Sequence, residues 1–134
     1  MADISITLFI ESTTHSVEEL LSVIEVPSTC GWRKGTARGK TNKVFVTDSW
    51  AITAKRHTSE DVDEIEKANN SAVDELLNKI RGHESGFTEM ARYGVAGLRI
   101  SIVSELLPPC ILSADRLRQI SVLGVDLEVE IAAA

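Results

Sequence analysis

The chain has 134 residues, the length of a single domain, and a chain of this size buries roughly two-thirds of its extended surface without help from disulfides or metal ions. Its 43% apolar and 25% charged residues are typical of a globular protein, and its net charge of −6 argues against nucleic acid as a partner, because phosphates require a cationic surface. Residues 1–12 lack the cationic start of a signal peptide, and no apolar run approaches the roughly 20 residues of a membrane span. We therefore expect one cytoplasmic domain over residues 1–134, with no membrane partner.

The chain begins with a predicted strand and a predicted helix. Apolar and more polar residues alternate over residues 4–10, which is the period of a strand with one buried face. Ser16 and Glu19 then have the spacing of a capping box, in which each side chain bonds the other residue's backbone amide. An apolar stripe at helical spacing follows and ends before Pro27.

The middle of the chain predicts a long loop and two strands. Residues 31–42 lack apolar periodicity and contain three glycines, which is typical of a loop. Val44–Val46 and Trp50–Arg56 have the composition of strands, and Thr47-Asp48-Ser49 between them has turn chemistry. These two segments predict a hairpin.

Two helices and a strand are predicted next. Ser59 is a candidate cap for a long helix with one apolar side, and Gly82 is well placed to end it. A short helix is predicted over residues 85–92. Leu98, Ile100 and Ile102 then alternate with polar residues and predict another strand.

The last predicted elements are a helix and a strand. Pro108-Pro109 breaks the chain before Ser113, which caps a predicted helix over residues 114–123. Its apolar side chains, Leu117, Ile120 and Leu123, are expected to point inward. Gly124 ends this helix, and residues 125–131 form the cleanest alternation in the chain, which predicts a final strand.

The predicted order is β-α-β-β-α-β followed by α-β. Every predicted strand is polar on one face, which favours a mainly antiparallel five-stranded sheet with helices packed on one side over a parallel sheet that is apolar on both. We therefore predict an α+β fold of the two-layer sandwich type. Its first six elements fit a partly ferredoxin-like topology.

Residues 31–42 form a basic segment in an otherwise acidic chain. Five of the fourteen Lys and Arg residues lie between positions 33 and 43, a stretch without any acidic residue. Glycine amides and cations together can surround a phosphate or carboxylate, although a solvated loop that only balances charge remains the simpler interpretation. A tryptophan beside arginines can also stack on a ligand ring. The candidate anion-binding or partner-binding residues are Trp32, Arg33, Lys34, Arg38 and Lys40.

The final predicted strand projects three carboxylates from one face. Asp126, Glu128 and Glu130 alternate with apolar residues, so neighbouring acids lie roughly 7 Å apart. A solvated sheet face and a docking surface for a basic partner are both consistent with this pattern. We take these three residues as a candidate acidic partner-binding face.

The sequence offers no positive sign of catalysis, of a cofactor or of a metal site. His15, His57 and His83 lie at element boundaries without metal-ligand spacing, and Cys30 and Cys110 belong to no Cys-x-x-Cys pair. No catalytic residue, cofactor or metal ligand is therefore assigned. A non-enzymatic role is the favoured interpretation, with an enzyme left open.

Four segments of the chain resemble a bacterial family, domain of unknown function 4279. The most specific is a Trp-Arg-Lys-Gly segment followed, after a variable loop, by a tryptophan at the start of a strand. The resemblance covers most of the chain and implies no catalytic or binding residues. The segments are Ile24-Glu25-Val26-Pro27-Ser28, Gly31-Trp32-Arg33-Lys34-Gly35, Ser49-Trp50-Ala51-Ile52, and the stretch from Leu117 to Ile131.

The functional expectation is a non-enzymatic bacterial protein that binds a protein partner through the acidic sheet face and the basic loop. Immunity proteins, which neutralise a toxin by direct binding, are an analogy in size and charge. The alternative is a domain that binds a small molecule, nucleotide or other anion at the glycine-containing basic loop.

Overall fold

The computed structural model describes residues 1–40 and 42–134; Thr41, at the edge of the predicted basic loop, lies outside the described residues. The fold is α+β, with four strands and four helices in the described part of the chain. In chain order the elements are β1 (Ala2–Ser12), α1 (Val17–Ile24), β2 (Asp48–Thr58), α2 (Val62–Ile80), α3 (Glu84–Ala91), β3 (Gly94–Val103), α4 (Ala114–Val122) and β4 (Asp126–Ala132).

The four strands form one mixed, mostly antiparallel sheet in the order β2-β1-β3-β4. β1 is antiparallel to both neighbours, with Leu8 opposite Ile52 on one side and Leu98 on the other. β4 is parallel to β3, and its Val129 aligns with Ile100. A parallel neighbour requires a crossover connection, which α4 supplies between β3 and β4.

Alternate residues of the strands and the inward sides of the helices share one hydrophobic core. Trp50 and Phe87 lie at its centre, with ring centroids 5.6 Å apart, and both are fully buried. The Trp50 indole N–H donates to the Val26 carbonyl at 2.8 Å, so the polar atom of this side chain is satisfied inside the core. The other face of the sheet carries Thr7, Arg99, Glu128 and their alternate neighbours, and we call it the polar face.

Three of the four described helices begin at a residue whose side chain caps them, and two of these caps are the predicted ones. Ser16 caps α1 in the predicted capping box with Glu19, and Ser113 caps α4. The cap of α2 is Asp61 rather than Ser59, because the Asp61 side chain accepts from the Glu64 amide at the position where the helical backbone begins.

The predicted fifth strand and its hairpin are wrong. Among the described residues Val44 forms an isolated bridge with Ala37 and no longer ladder, and Val46 is 71% exposed. The outer edge of β2 is instead occupied by residues 28–32: the Thr29 amide donates to the Ala51 carbonyl, and the Ser49 amide donates to the Trp32 carbonyl, both at 2.8 Å. The order is therefore β-α-β-α-α-β-α-β, which does not match the β-α-β-β-α-β order that suggested a ferredoxin-like topology.

Candidate functional site

The three carboxylates of the predicted acidic face lie on β4, at one edge of the sheet. Asp126, Glu128 and Glu130 are exposed on the polar face, where they align with Gly97, Arg99 and Ser101 of β3. The Arg99 Nε atom donates to Glu128 Oε2 at 2.9 Å. Asp126 and Glu130 have no ion pair with any residue in the described part of the chain.

β4 is also incompletely covered on the side of the helices. Leu127 is 42% exposed and Val129 is 47% exposed, although their neighbours on β3, Leu98 and Ile100, are buried. The reason is that α4 packs only loosely: it buries Ile120, while Leu117, which the sequence pattern predicted to point inward, is 43% exposed. β4 is thus an edge strand that meets solvent on both faces.

Residues 33–40 and 42–47 fold back on one another beside the opposite edge of the sheet. The Gly35 amide donates to the Phe45 carbonyl at 2.8 Å, and the Phe45 amide donates to the Thr36 carbonyl at 2.9 Å. Gly35 has a φ of +88°, a left-handed conformation that favours glycine. We call these residues the basic hairpin.

An aromatic and cationic stack gives the basic hairpin its shape. The rings of Trp32 and Phe45 lie nearly parallel, with centroids 4.5 Å apart. The Arg38 guanidinium lies 5.5 Å from the centre of the Phe45 ring, within the range of a cation–π contact. The Trp32 indole N–H also points at the Thr47 hydroxyl, at 3.4 Å. Trp32 and Arg38 therefore help to stabilise the basic hairpin.

The predicted basic residues do not converge on one cavity. Arg33 points toward α1, where it forms a salt bridge with Glu18. A bond from the backbone amide of Glu18, and then the Arg33 guanidinium, lower the pKa of the Glu18 carboxyl. Arg38, Gly39, Lys43 and Phe45 line a separate open cleft of about 460 Å³. Lys34 and Lys40 are exposed on the hairpin.

A second groove separates α1 from the segment before the hairpin. It has a volume of about 600 Å³, and Val17, Trp32 and Arg33 are among its lining residues. Cys30 also lines it, with its Sγ atom 2.9 Å from the Thr53 hydroxyl, which in turn lies 3.0 Å from the Thr7 hydroxyl. Cys30 belongs to no motif that predicts a role, and nothing in its sequence context indicated this groove.

The acidic face and the basic hairpin lie at opposite edges of the sheet. The hairpin adjoins the outer edge of β2, and β4 forms the other edge, with β1 and β3 between them. At about 4.8 Å per strand, three strand spacings separate the two edges by roughly 14 Å along the sheet. The two candidate surfaces are therefore separate sites rather than one continuous patch.

Comparison with known proteins gives a family match over almost the whole chain. A family model described as domain of unknown function (DUF4279) matches residues 2–134. No curated protein and no solved structure showed a significant similarity to the chain. Among the described residues, no helix is both long enough and apolar enough to cross a membrane. The resemblance seen in the Trp-Arg-Lys-Gly segment and the final strand is thus confirmed, and this chain belongs to the family of domain of unknown function 4279.

Proposed function

We propose that this chain is a non-enzymatic binding protein that recognises a protein partner through the acidic part of its polar face. The observation that carries the proposal is the state of Asp126 and Glu130: both are exposed on an edge strand, and neither is neutralised by a described residue. Charges arranged in this way steer and orient a partner of opposite charge. By analogy of size and charge, an immunity protein that neutralises a toxin is one form of such a function.

Pull-down from the native host with matched charge reversals tests this proposal. The bait carrying Asp126→Lys and Glu130→Lys should lose a stoichiometric partner that the wild-type bait recovers. The control bait carries Glu89→Lys and Glu105→Lys, two exposed acids elsewhere on the surface, so its net charge changes equally. Equal recovery of the partner by all three baits would contradict a role for the acidic face. Equal loss of the partner from both variants would show that net charge, and not the acidic face, determines recovery.

The second candidate function is binding of a phosphate-containing small molecule at the basic hairpin. The cleft lined by Arg38, Gly39, Lys43 and Phe45 favours it, because cations and an aromatic ring face the same open space. Thermal unfolding with and without pyrophosphate or ATP tests this candidate. A ligand at a hundred times its dissociation constant stabilises a protein by about 2.7 kcal/mol.

A matched pair of variants separates hairpin binding from general attraction of anions. Lys43→Gln, which removes a cation that lines the cleft, should abolish most of the thermal shift, whereas Lys55→Gln, which removes an exposed cation from β2, should leave it unchanged. No stabilisation by either ligand would remove this candidate.

A further inference from the structure

We propose that the outer edge of β4 accepts an extended segment of the partner as an additional strand, and that this segment alternates Lys or Arg with aliphatic residues. The inference rests on the proposed function and specifies the chemistry of the partner. Three independent features of β4 support it: its backbone edge, its aliphatic row and its acidic row.

The first feature is the difference between the two edges of the sheet. Residues 28–32 bond to the outer edge of β2 at residues 49–53, so that half of the strand is already covered. Within residues 1–40 and 42–134, no segment pairs with the outer edge of β4. Unpaired N–H and C=O groups along an edge form a template for another strand.

The second feature is the aliphatic row of β4 on the side of the helices. Leu127 and Val129 are each more than 40% exposed, beside the buried Leu98 and Ile100 of β3. An added strand would place its own alternate side chains next to this row. Aliphatic residues at those positions would extend the core by one strand and remove apolar surface from water.

The third feature is the acidic row on the polar face, whose negative charge determines which kind of strand can be added. Asp126, Glu128 and Glu130 would lie beside the alternate residues of the added strand that point the same way. Arg99 reaches Glu128 from the β3 side, so β3 already provides one such cross-strand pair. Opposite charges on neighbouring strands stabilise their pairing, which favours Lys or Arg in the added strand.

A second copy of this chain fits the same edge poorly. Antiparallel pairing of two β4 strands about a two-fold axis keeps the polar face of both copies on one side. Every such register places carboxylates of one copy near carboxylates of the other, and like charges in opposing positions are destabilising. The charges therefore favour a basic segment of another protein.

The test uses the full chain and a synthetic, acetylated and amidated heptapeptide of alternating lysine and valine. We expect binding with amide chemical-shift changes concentrated at residues 126–132. A copy of the peptide with every backbone amide N-methylated keeps the charge but has no N–H group to donate to a ladder, and we expect it to bind at least about tenfold more weakly, a difference of 1.4 kcal/mol. A peptide of alternating glutamate and valine should not bind.

Three outcomes would overturn strand addition. They are an undetectable interaction with the lysine–valine peptide, equal affinity for its N-methylated copy, and shift changes that map to β2 instead of β4. Equal affinity for the N-methylated copy would still be consistent with a charged docking face, so the proposed function would survive it. Failure of the charge-reversal pull-down would refute the proposed function whatever the peptide does.

Discussion

The Phe9 ring lies directly over Gly97 on the polar face of the sheet. A Cβ atom on Gly97 would lie 2.7 Å from Phe9 Cζ, which is closer than real Cβ contacts. The Arg99 guanidinium also lies 5.0 Å from the centre of the Phe9 ring, and Phe9 is only 4% exposed. An aromatic residue is thus buried on the mostly polar face, because β3 has no side chain beneath it.

Gly97→Ala should therefore destabilise the protein. Overpacking of a well-packed site typically costs 1–3 kcal/mol, and we expect about that loss in the free energy of unfolding, measured by urea denaturation. The cost should shrink when Phe9→Leu is combined with it, since leucine lacks the Cζ atom that would clash. Ser101→Ala, on the same face of β3, should change stability little. If Gly97→Ala lowered the free energy of unfolding as much in the Phe9→Leu background as in the wild type, Phe9 would not be the source of the steric clash.

Gly86→Ala should destabilise the packing of α3 on α1. Alanine favours a helix over glycine by about 1 kcal/mol, so propensity alone predicts a gain. A Cβ atom at Gly86 would, however, lie 2.3 Å from the Val23 carbonyl oxygen, and a backbone atom cannot rotate away. We expect the steric cost to exceed the propensity gain and to lower the thermal midpoint.

Ser85→Ala is the matched control for Gly86→Ala. It lies on the same helix but is exposed, so it tests helix propensity without the steric contact. A Gly86→Ala variant as stable as the wild type would contradict the close approach of α3 to α1.

The pair formed by Asp74 and Arg116 should make stability depend on pH. Arg116 donates from Nε and Nη2 to the two Asp74 oxygens, both at 2.8 Å, and this guanidinium lowers the pKa of the Asp74 carboxyl. The unfolded chain holds its proton more tightly, so the contribution is fully present above about pH 3.9 and is lost as the pH falls through the lowered folded pKa.

Asp74→Asn should lower the free energy of unfolding near neutral pH by about 0.5–1 kcal/mol, because the pair is partly exposed and screened by water. The difference from the wild type should disappear in acid, as followed by urea denaturation across a pH series. Glu89→Gln, at an exposed acid without an ion pair to the described residues, should show no such pH-dependent difference. A gap between Asp74→Asn and the wild type that is the same at every pH would contradict an electrostatic role.

Neutralising the acidic row of β4 should promote self-association. The triple variant Asp126→Asn, Glu128→Gln and Glu130→Gln keeps the exposed Leu127 and Val129 but removes the like-charge repulsion between two copies of the strand. Sedimentation velocity should show a concentration-dependent dimer for the variant and less association for the wild type. A control variant that neutralises Asp63, Glu89 and Glu105 should behave like the wild type. Identical sedimentation of all three proteins would mean that these charges do not protect the edge.

Local signals in the sequence determined most of the secondary structure. The alternation over residues 4–10 and 125–131 predicted β1 and β4, and the caps at Ser16 and Ser113 fixed the starts of α1 and α4. These features depend on side chains a few residues apart, whose geometry is set by the period of the element they belong to. The exposure of Asp126, Glu128 and Glu130 follows from the same alternation.

Only the tertiary structure decided which segments pair and which surfaces remain open. Val44–Val46 has a strand composition, but residues 28–32 take the edge of β2 that a hairpin partner would need. Leu127 and Leu117 fit an apolar pattern yet stay exposed, because periodicity marks the side that an element can bury without specifying what covers it. Contacts between residues distant in the chain, such as Glu18 with Arg33 and Arg99 with Glu128, also form only in the folded arrangement. The order of the strands likewise places the acidic face and the basic hairpin at opposite edges of the sheet.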